Sequence, residues 1–225
     1  MTFRSLPFSG YEKRQWLWLG ASFLFLGIFL KVTSELLKND VQGMDATILA
    51  AISSLRRPWL TGIAIDLTAL GSITLVTLIS LISFCVLLLL RDRLAASQLL
   101  LNSAGAALLT TLTKHFIERT RPETVEHLVQ VTGFSYPSGH SLVAASLYLT
   151  IAILTAHHLP TTGGRVLLFF IALAVIFLVG MSRMYLGVHY PTDVASGVCL
   201  GLAWALLLAA GFSKSKRRRS PEARA

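Results

Sequence analysis

Cysteine and charge are both scarce in this sequence, and each shortage narrows the class of protein. Cys85 and Cys199 are the two cysteines in 225 residues, and each lies within an apolar run, which argues against a disulfide framework and a thiolate metal cluster. Charged residues make up 14% of the chain, whereas 54% of residues are hydrophobic and the mean hydropathy is +0.66. Because a soluble domain needs more charge on its surface, the composition predicts a membrane protein.

Long apolar segments predict an all-α polytopic membrane protein with a bundle of six transmembrane helices. They cover residues 16–32, 60–90, 94–117, 141–156, 166–181 and 194–212. Six such spans with short connections leave no room for a separate soluble domain, so residues 1–225 are expected to form one integral membrane domain. No small-residue cleavage site follows the first segment, which is therefore interpreted as an uncleaved span.

Basic residues are distributed unevenly between the predicted loops. If the N-terminus is cytoplasmic, the inner segments contain 12 basic and 3 acidic residues, and the outer segments contain 8 of each. This asymmetry agrees with the positive-inside rule and predicts cytoplasmic N- and C-termini in the inner membrane. The short loops and the compact single domain are compatible with a bacterial cytoplasmic membrane. The basic tail at 213–225 is then interpreted as a cytoplasmic anchor beside anionic lipid, so the net charge of +9 does not indicate a nucleic-acid partner.

An amphipathic helix is predicted at residues 41–55, between the first two spans. Apolar residues recur there at steps of three or four, with polar residues between them: Val41, Met44, Ile48, Ile52 and Leu55 against Asp40, Gln42, Asp45 and Ser53. This pattern is typical of a helix that lies on the outer membrane surface. Such a helix could simply cover the bundle, or it could be a lid or guide for a lipid substrate.

Positive side chains collect at the span ends that face the outer side. Lys114, Arg121 and Arg183 lie at different span ends or in adjoining loops, and a guanidinium can bind two phosphate oxygens at once. One such residue alone could be a snorkelling interface residue. Together they predict an anion-binding site, because ionisable groups near the hydrocarbon rarely gather without a function.

The stretch PSGH at 137–140 marks the start of the fourth predicted span. Backbone N–H groups at a helix N-terminus favour a bound anion, Ser138 adds a hydroxyl donor, and Gly139 allows close approach of the backbone. A helix that begins at proline and is capped by serine would have the same sequence without any ligand.

His189 and Asp193 are four residues apart, which is one helical turn. A carboxylate that holds one ring nitrogen leaves the other nitrogen free as a nucleophile, and His140 could then protonate the leaving oxygen. The same three residues could also bind zinc, but the neighbouring cations would repel a metal ion. We therefore expect no metal and no cofactor.

Three motifs containing these residues identify a family resemblance: KHFIERTRP at 114–122, PSGH at 137–140 and SRMYLGVHYPTD at 182–193. They resemble the three-part signature of the type-2 phosphatidic acid phosphatase superfamily, over roughly residues 60–212. The resemblance implies a six-helix bundle and a metal-independent phosphatase with a phosphohistidine intermediate. It implies that His189 is the nucleophile, Asp193 its partner and His140 the acid and later the base. It also implies a phosphate clamp of Lys114, Arg121, Ser138, Gly139 and Arg183.

The sequence thus predicts a membrane lipid phosphatase that removes a terminal phosphate at the outer leaflet. Phosphatidylglycerophosphate, phosphatidate, undecaprenyl diphosphate and lipid A phosphate are the candidate substrates, and membrane lipids are the other expected partners. A lipid phosphotransferase, a phosphatase of soluble esters and a non-catalytic lipid or anion transporter are the alternatives. Asp66 and Arg119 are secondary site residues: each could bind a charged group of the site or serve only the local structure. The motifs do not specify an oligomeric state.

Overall fold

The computed structural model describes residues 10–219, and the side chains of 13–213 within them. This part of the chain forms eight helices and contains no strand, which confirms the all-α prediction for the described residues. The helices are α1 (Gly10–Leu37), α2 (Gln42–Ser54), α3 (Pro58–Ala69), α4 (Ile73–Leu89), α5 (Arg93–Ile117), α6 (Gly139–Ala156), α7 (Thr162–Tyr185) and α8 (Pro191–Arg219). Helix α8 continues into the predicted basic tail, of which residues 220–225 lie outside the described part.

Four helices are long and apolar enough to cross a membrane: Lys13–Leu37 in α1, then α6, α7 and Pro191–Ser213 in α8. Helices α3 and α4 together make a fifth candidate, with a bend of 44° between them. Helix α5 has 25 residues but includes the buried polar side chains of Gln98 and Asn102, which lower its apolar character. The described residues therefore support a membrane protein, whereas the count of six spans stays a prediction.

The prediction of one continuous helix over 60–90 is wrong. The chain leaves helical geometry after Leu70, and Ser72 caps α4 by accepting a hydrogen bond from the backbone N–H of Leu75 at 3.3 Å. The hydroxyl of Tyr148 on α6 donates to the carbonyl of Leu70 at 2.8 Å and satisfies a carbonyl that the break exposes. The break places the end of α3 beside the start of α6.

Helix α8 packs against α1 and α6 to form the centre of the bundle. Gly197 permits the close approach of α8 to the start of α6, because a Cβ atom there would lie 2.5 Å from the carbonyl oxygen of Ser138. The backbone N–H of Ser138 donates to the carbonyl of Asp193 at 2.9 Å. This packing joins the second and third sequence motifs.

Helix α2 lies at its predicted place in the chain, but its buried face differs from the predicted apolar face. Asp45 and Leu49 are fully buried, whereas Met44 and Leu55 are more than half exposed. The assignment of Asp45 to the polar face is wrong because its carboxylate contacts the buried guanidinium of Arg119. The position of α2 on the outer membrane surface stays a prediction.

A long loop, residues 118–138, packs on the turn between α7 and α8. The N–H of Leu128 donates to the carbonyl of Leu186 at 3.0 Å, and Arg56 donates to the carbonyl of Glu126 at 2.9 Å. Gly187 has a φ of +76°, and a Cβ atom at this residue would lie 2.5 Å from the carbonyl oxygen of Glu126. The turn therefore needs glycine, and it brings the first and third motifs together.

Candidate active site

The structure brings the three motifs together at one end of the bundle. His140 is close enough to Arg183, His189, Arg121 and Lys114 to interact electrostatically with each of them. These residues come from α5, α6, α7, the 118–138 loop and the turn before α8. The two predicted catalytic histidines and the three cations of the predicted clamp thus lie close to one another.

The imidazole of His189 is connected to Asp193 by a serine that the sequence analysis missed. Ser135 Oγ lies 3.2 Å from His189 Nδ1 and donates to Asp193 Oδ2 at 2.5 Å. The direct distance from His189 Nδ1 to Asp193 Oδ2 is 3.6 Å, which is an ion-pair distance and too long for a good hydrogen bond. Ser135 therefore bridges His189 and Asp193, whereas their i, i+4 spacing predicted a direct hydrogen bond.

The neighbours of His189 also fix its protonation. Arg121 Nη1 lies 3.4 Å from His189 Nε2, and because a guanidinium has donors but no acceptor, Nε2 must carry the lone pair. The proton of the neutral ring is then on Nδ1, facing Ser135. Burial lowers the pKa of His189 to about 4, against the opposing effect of Asp193. At neutral pH this residue is therefore an uncharged imidazole whose unprotonated Nε2 faces Arg121.

Asp193 is fully buried at the start of α8, and the protein satisfies both of its carboxylate oxygens. Oδ1 accepts from Arg119 Nη1 at 2.6 Å, and Oδ2 accepts from Ser135 and from the N–H of Tyr190 at 2.9 Å. A carboxylate with this many donors stays ionised and has one orientation. It can stabilise positive charge on His189 without moving.

Backbone carbonyls hold two of the three cations of the predicted clamp. Lys114 Nζ donates to the carbonyl of Phe134, and Arg121 donates to the carbonyls of Gly133 and Val188, each at 2.9 Å. These contacts orient the side chains and leave their positive charge unneutralised. The pocket therefore has an excess of positive charge for an anion.

Arg183 is nearly fully buried, at 3% exposure. Its Nη1 donates to Thr68 Oγ1 on α3 at 2.9 Å, but its buried Nε has no hydrogen-bond partner among the described residues. A buried donor without a partner is destabilising by about 1–3 kcal/mol.

The start of α6 agrees with the capping interpretation of PSGH. Ser138 is fully buried and its Oγ accepts from Ser141 Oγ at 2.9 Å and from the Ser141 N–H at 3.5 Å. At Gly139, a Cβ atom would lie 3.1 Å from the methyl group of Thr110 on α5, so any larger residue would crowd α5. Ser138 is thus a helix cap, and its second expected role as a phosphate donor stays a prediction.

The two secondary candidates have different surroundings. Arg119 forms ion pairs with Asp45 at 2.7 Å and Asp193 at 2.6 Å, and its guanidinium stacks 4.0 Å from the ring centroid of Tyr190. Against the effect of burial, the two carboxylates raise the pKa of Arg119. Asp66 is exposed on α3 and forms no ion pair within the described part of the chain, and its possible role as the partner of an outer cation stays a prediction.

An apolar groove of about 540 Å³ between α4, α5 and α6 reaches His140. We use "apolar groove" for this cavity, whose lining includes Val76, Leu81, Phe84, Leu99, Leu100 and Val143. His140 and Gly139 are also part of its lining. Because His140 interacts with the three cations of the predicted clamp, the groove leads from these cations into space suited to hydrocarbon.

The site combines several cations with a neutral histidine and a buried carboxylate, and phosphoryl transfer uses positive charge of this kind to stabilise its transition state. The chain belongs to the PAP2 superfamily, whose family model matches residues 95–217. This confirms the resemblance carried by the three motifs. The family is one of phosphatases, so the chain is an enzyme.

Several characterised proteins are similar to this chain. Phosphatidylglycerophosphatase B of Bacillus subtilis is 36% identical over 197 residues, which cover 87% of this chain and 96% of the relative. The crystal structure of a transmembrane PAP2 type phosphatidylglycerolphosphate phosphatase from Bacillus subtilis matches with a TM-score of 0.82 and 34% identity, over 88% of this chain and 98% of that one. The undecaprenyl-diphosphatase of Sulfolobus acidocaldarius is 30% identical over 116 residues, 49% of this chain and 52% of the relative.

Proposed function

We propose that this protein removes the terminal phosphate of a lipid phosphate or diphosphate at the outer leaflet through a phosphohistidine intermediate. The observation that carries the proposal is the neutral, buried His189, whose Nε2 lone pair faces Arg121 in a pocket with two further cations. Phosphatidylglycerophosphate is the first substrate to test, since the relative from Bacillus subtilis is named for it. Phosphatidate, undecaprenyl diphosphate and lipid A phosphate are the other candidates.

In the first step, His189 Nε2 attacks phosphorus and forms an N–P bond while the bond from phosphorus to the leaving oxygen breaks. His140, in its imidazolium form, donates a proton to that oxygen and becomes neutral. The imidazolium formed on His189 is stabilised by Asp193 through Ser135. Lys114, Arg121, Arg183 and the start of α6 neutralise the charge that spreads over the equatorial oxygens.

In the second step, His140 takes a proton from a water molecule, and the water oxygen attacks phosphorus. The N–P bond breaks, His189 returns to its neutral form, and inorganic phosphate leaves. The same cations stabilise both transition states because the phosphoryl group occupies one position throughout. The cycle balances with the side chains present and water as the acceptor.

The apolar groove supports a lipid substrate. It borders His140, and its lining is largely side chains of α4, α5 and α6 without charge. A lipid whose phosphate lies among the cations would place its chains in this groove. The burial of their apolar surface would favour binding by about 25 cal/mol for each Å² removed from water. A soluble phosphate ester would gain nothing from it.

We further propose that residues 1–225 form a single domain with cytoplasmic termini and an active site that faces the extracytoplasmic side. The uneven distribution of basic residues supports this orientation. Under it, the basic tail lies beside anionic lipid of the inner leaflet.

The proposal is tested by phosphate release from the purified full-length protein in detergent with a chelator present. The substrates are phosphatidylglycerophosphate, phosphatidate, undecaprenyl diphosphate and glycerol 3-phosphate, which is the phosphatidate head group without chains. We expect release from lipids, loss of it in His189→Asn, and retention in His115→Asn, because His115 is exposed near the end of α5. Inactivation by the chelator would contradict the mechanism, and a preference for glycerol 3-phosphate would contradict the substrate class.

A further inference from the structure

A buried carboxylate outside the three motifs reaches the active site from α2. Asp45 is fully buried, and burying an ionised carboxylate is unfavourable unless it is paired and hydrogen-bonded. Its partners are Arg119 in the 118–138 loop and Thr192 in the first turn of α8. A helix that only covered the bundle with apolar side chains would not need these hydrogen bonds from Asp45 to Arg119 and Thr192.

We infer that Asp45 is a positioning residue for phosphoryl transfer, which acts through Arg119 on Asp193 and hence on His189. The inference rests on the proposed function of this site. Asp45 touches neither His189 nor the predicted phosphate position in any hydrogen bond of the described residues. It acts by fixing the groups that hold the nucleophile.

The geometry gives Arg119 two anionic partners on opposite nitrogens. Arg119 Nη2 donates to Asp45 Oδ2 at 2.7 Å, and Nη1 donates to Asp193 Oδ1 at 2.6 Å and to Thr192 Oγ1 at 2.8 Å. The planar guanidinium therefore bridges two carboxylates in a fixed fork. Neither carboxylate can rotate without losing a charge-assisted hydrogen bond.

Asp45 also holds the residue before Asp193. Its Oδ1 accepts from the Thr192 N–H at 3.0 Å, and its Oδ2 accepts from Thr192 Oγ1 at 2.5 Å. Two separate contacts thus connect α2 to the start of α8. The backbone and the side chain of Thr192, the residue before Asp193, are both fixed by the same carboxylate.

This arrangement determines which oxygen of Asp193 serves the nucleophile. Because Arg119 occupies Oδ1, Oδ2 faces Ser135 and, at 3.6 Å, His189 Nδ1. Without Asp45, Arg119 would neutralise Asp193 alone and could move toward it. The carboxylate would then be less available to stabilise an imidazolium at His189.

Substitutions at Asp45 and Leu49 distinguish a positioning role of Asp45 from a role in attaching α2 to the bundle. Leu49 is equally buried on the same helix and packs against Met184 and Val194. Truncating Leu49 weakens the attachment of α2 by removing apolar contacts and leaves both carboxylates and Arg119 intact. Replacing Asp45 by asparagine keeps the size of the side chain and removes its charge.

The test compares wild type, Asp45→Asn and Leu49→Ala as full-length proteins in detergent, with dioctanoyl phosphatidate as substrate. We expect kcat to fall about 10- to 100-fold in Asp45→Asn, with KM changed less than about 2-fold, because misplaced catalytic groups lose rate more than binding. Leu49→Ala should lower the unfolding temperature and keep kcat within about 3-fold of wild type. A double-mutant cycle adds Arg119→Gln, and in that background Asp45→Asn should cause no further loss of kcat.

The outcomes separate the inference from the proposed function. Equal kcat in wild type and Asp45→Asn overturns the inference alone. Equal losses of kcat in Asp45→Asn and Leu49→Ala also overturn it, because docking of α2 would then explain both. A wild-type protein that releases no phosphate from dioctanoyl phosphatidate or from any lipid of the panel overturns the proposed function and the inference with it.

Discussion

At the scale of single residues, the site depends on a histidine kept neutral by burial and oriented by a hydrogen-bonded chain. His189, Ser135 and Asp193 form that chain, and Arg119 and Asp45 extend it to α2. Asp193 also acts electrostatically on the imidazole, because its carboxylate favours the protonated ring. The residues can therefore be tested by separate substitutions.

The first prediction concerns pH. Burial lowers the pKa of His189 from 6.5 to about 4, so the neutral nucleophile persists as pH falls and is lost only near the folded-state value. We expect kcat/KM, corrected for the titration of the lipid phosphate in the same micelles, to fall on the acid side with an apparent pKa near 4. A corrected acid limb centred near 6.5, the ordinary value for histidine, would contradict this environment for His189.

The second prediction concerns Ser135. Ser135→Ala leaves His189 Nδ1 without its nearest acceptor and 3.6 Å from Asp193. An unsatisfied buried donor costs about 1–3 kcal/mol, so we expect kcat to fall about 10- to 100-fold. The matched control is Ser196→Ala, which loses a buried hydrogen bond from Tyr136 at 2.7 Å away from the imidazole. Steady-state phosphate release measures both variants. Similar kcat losses in the two would show that Ser135 has no special role.

Residue types and spacing predicted the histidines and cations, because phosphate chemistry restricts which side chains can serve. They did not predict Ser135 or Asp45. Ser135 lies two residues before Pro137 in a loop whose path cannot be read from periodicity, and the packing of Asp45 depends on a loop about 74 residues away. A lone aspartate between apolar residues of α2 was the available signal, and it was assigned to the wrong face.

At the scale of helices, the site depends on how closely α6 and α8 approach. Gly197 lies at that contact, and the start of each helix carries a motif. A side chain at this position would separate Ser138 from Asp193, whose backbone groups are joined by a hydrogen bond of 2.9 Å. The packing of α6 against α8 therefore determines the geometry of the candidate site.

The third prediction follows from that contact. Gly197→Ala places a Cβ atom 2.5 Å from the Ser138 carbonyl oxygen, so we expect destabilisation by about 1–3 kcal/mol and a loss of phosphate release. Gly211→Ala on the same helix is the control, because no atom lies within 4 Å of its Cβ position. Thermal unfolding in detergent and phosphate release measure both. A Gly197→Ala protein with wild-type stability and activity would contradict the packing.

Hydrophobic segments located the helices well, since apolar length is a strong signal. The sequence did not predict the break between α3 and α4. Gly71 and Ser72 are two small residues in a long apolar run, and a pair of this kind is too short to interrupt the hydrophobic pattern. The exposed apolar residues of α4 and α7 are consistent with lipid contact, whereas α6 and α8 are largely buried within the protein. This difference comes from tertiary packing, which periodicity alone does not reveal.

At the scale of the whole molecule, the proposal requires the site and the basic tail on opposite sides of the membrane. The fourth prediction uses single cysteines in a background where Cys85 and Cys199 are replaced by alanine. Glu123 is an exposed residue of the 118–138 loop, and Thr162 is an exposed residue at the opposite end of the bundle, at the start of α7. The two variants are Glu123→Cys and Thr162→Cys. A membrane-impermeant maleimide should label the first in intact cells and the second only after permeabilisation. The reverse pattern would contradict the proposed orientation.

The most direct test of the account is a search for a phosphorylated histidine. The purified enzyme is mixed with phosphatidate, quenched in alkali during turnover, and mapped by mass spectrometry, with His189→Asn and His115→Asn as the paired variants. The account predicts a phosphoryl group on His189 in wild type and His115→Asn, and none in His189→Asn. A phosphoryl group on another residue, or sustained turnover by His189→Asn, would contradict it.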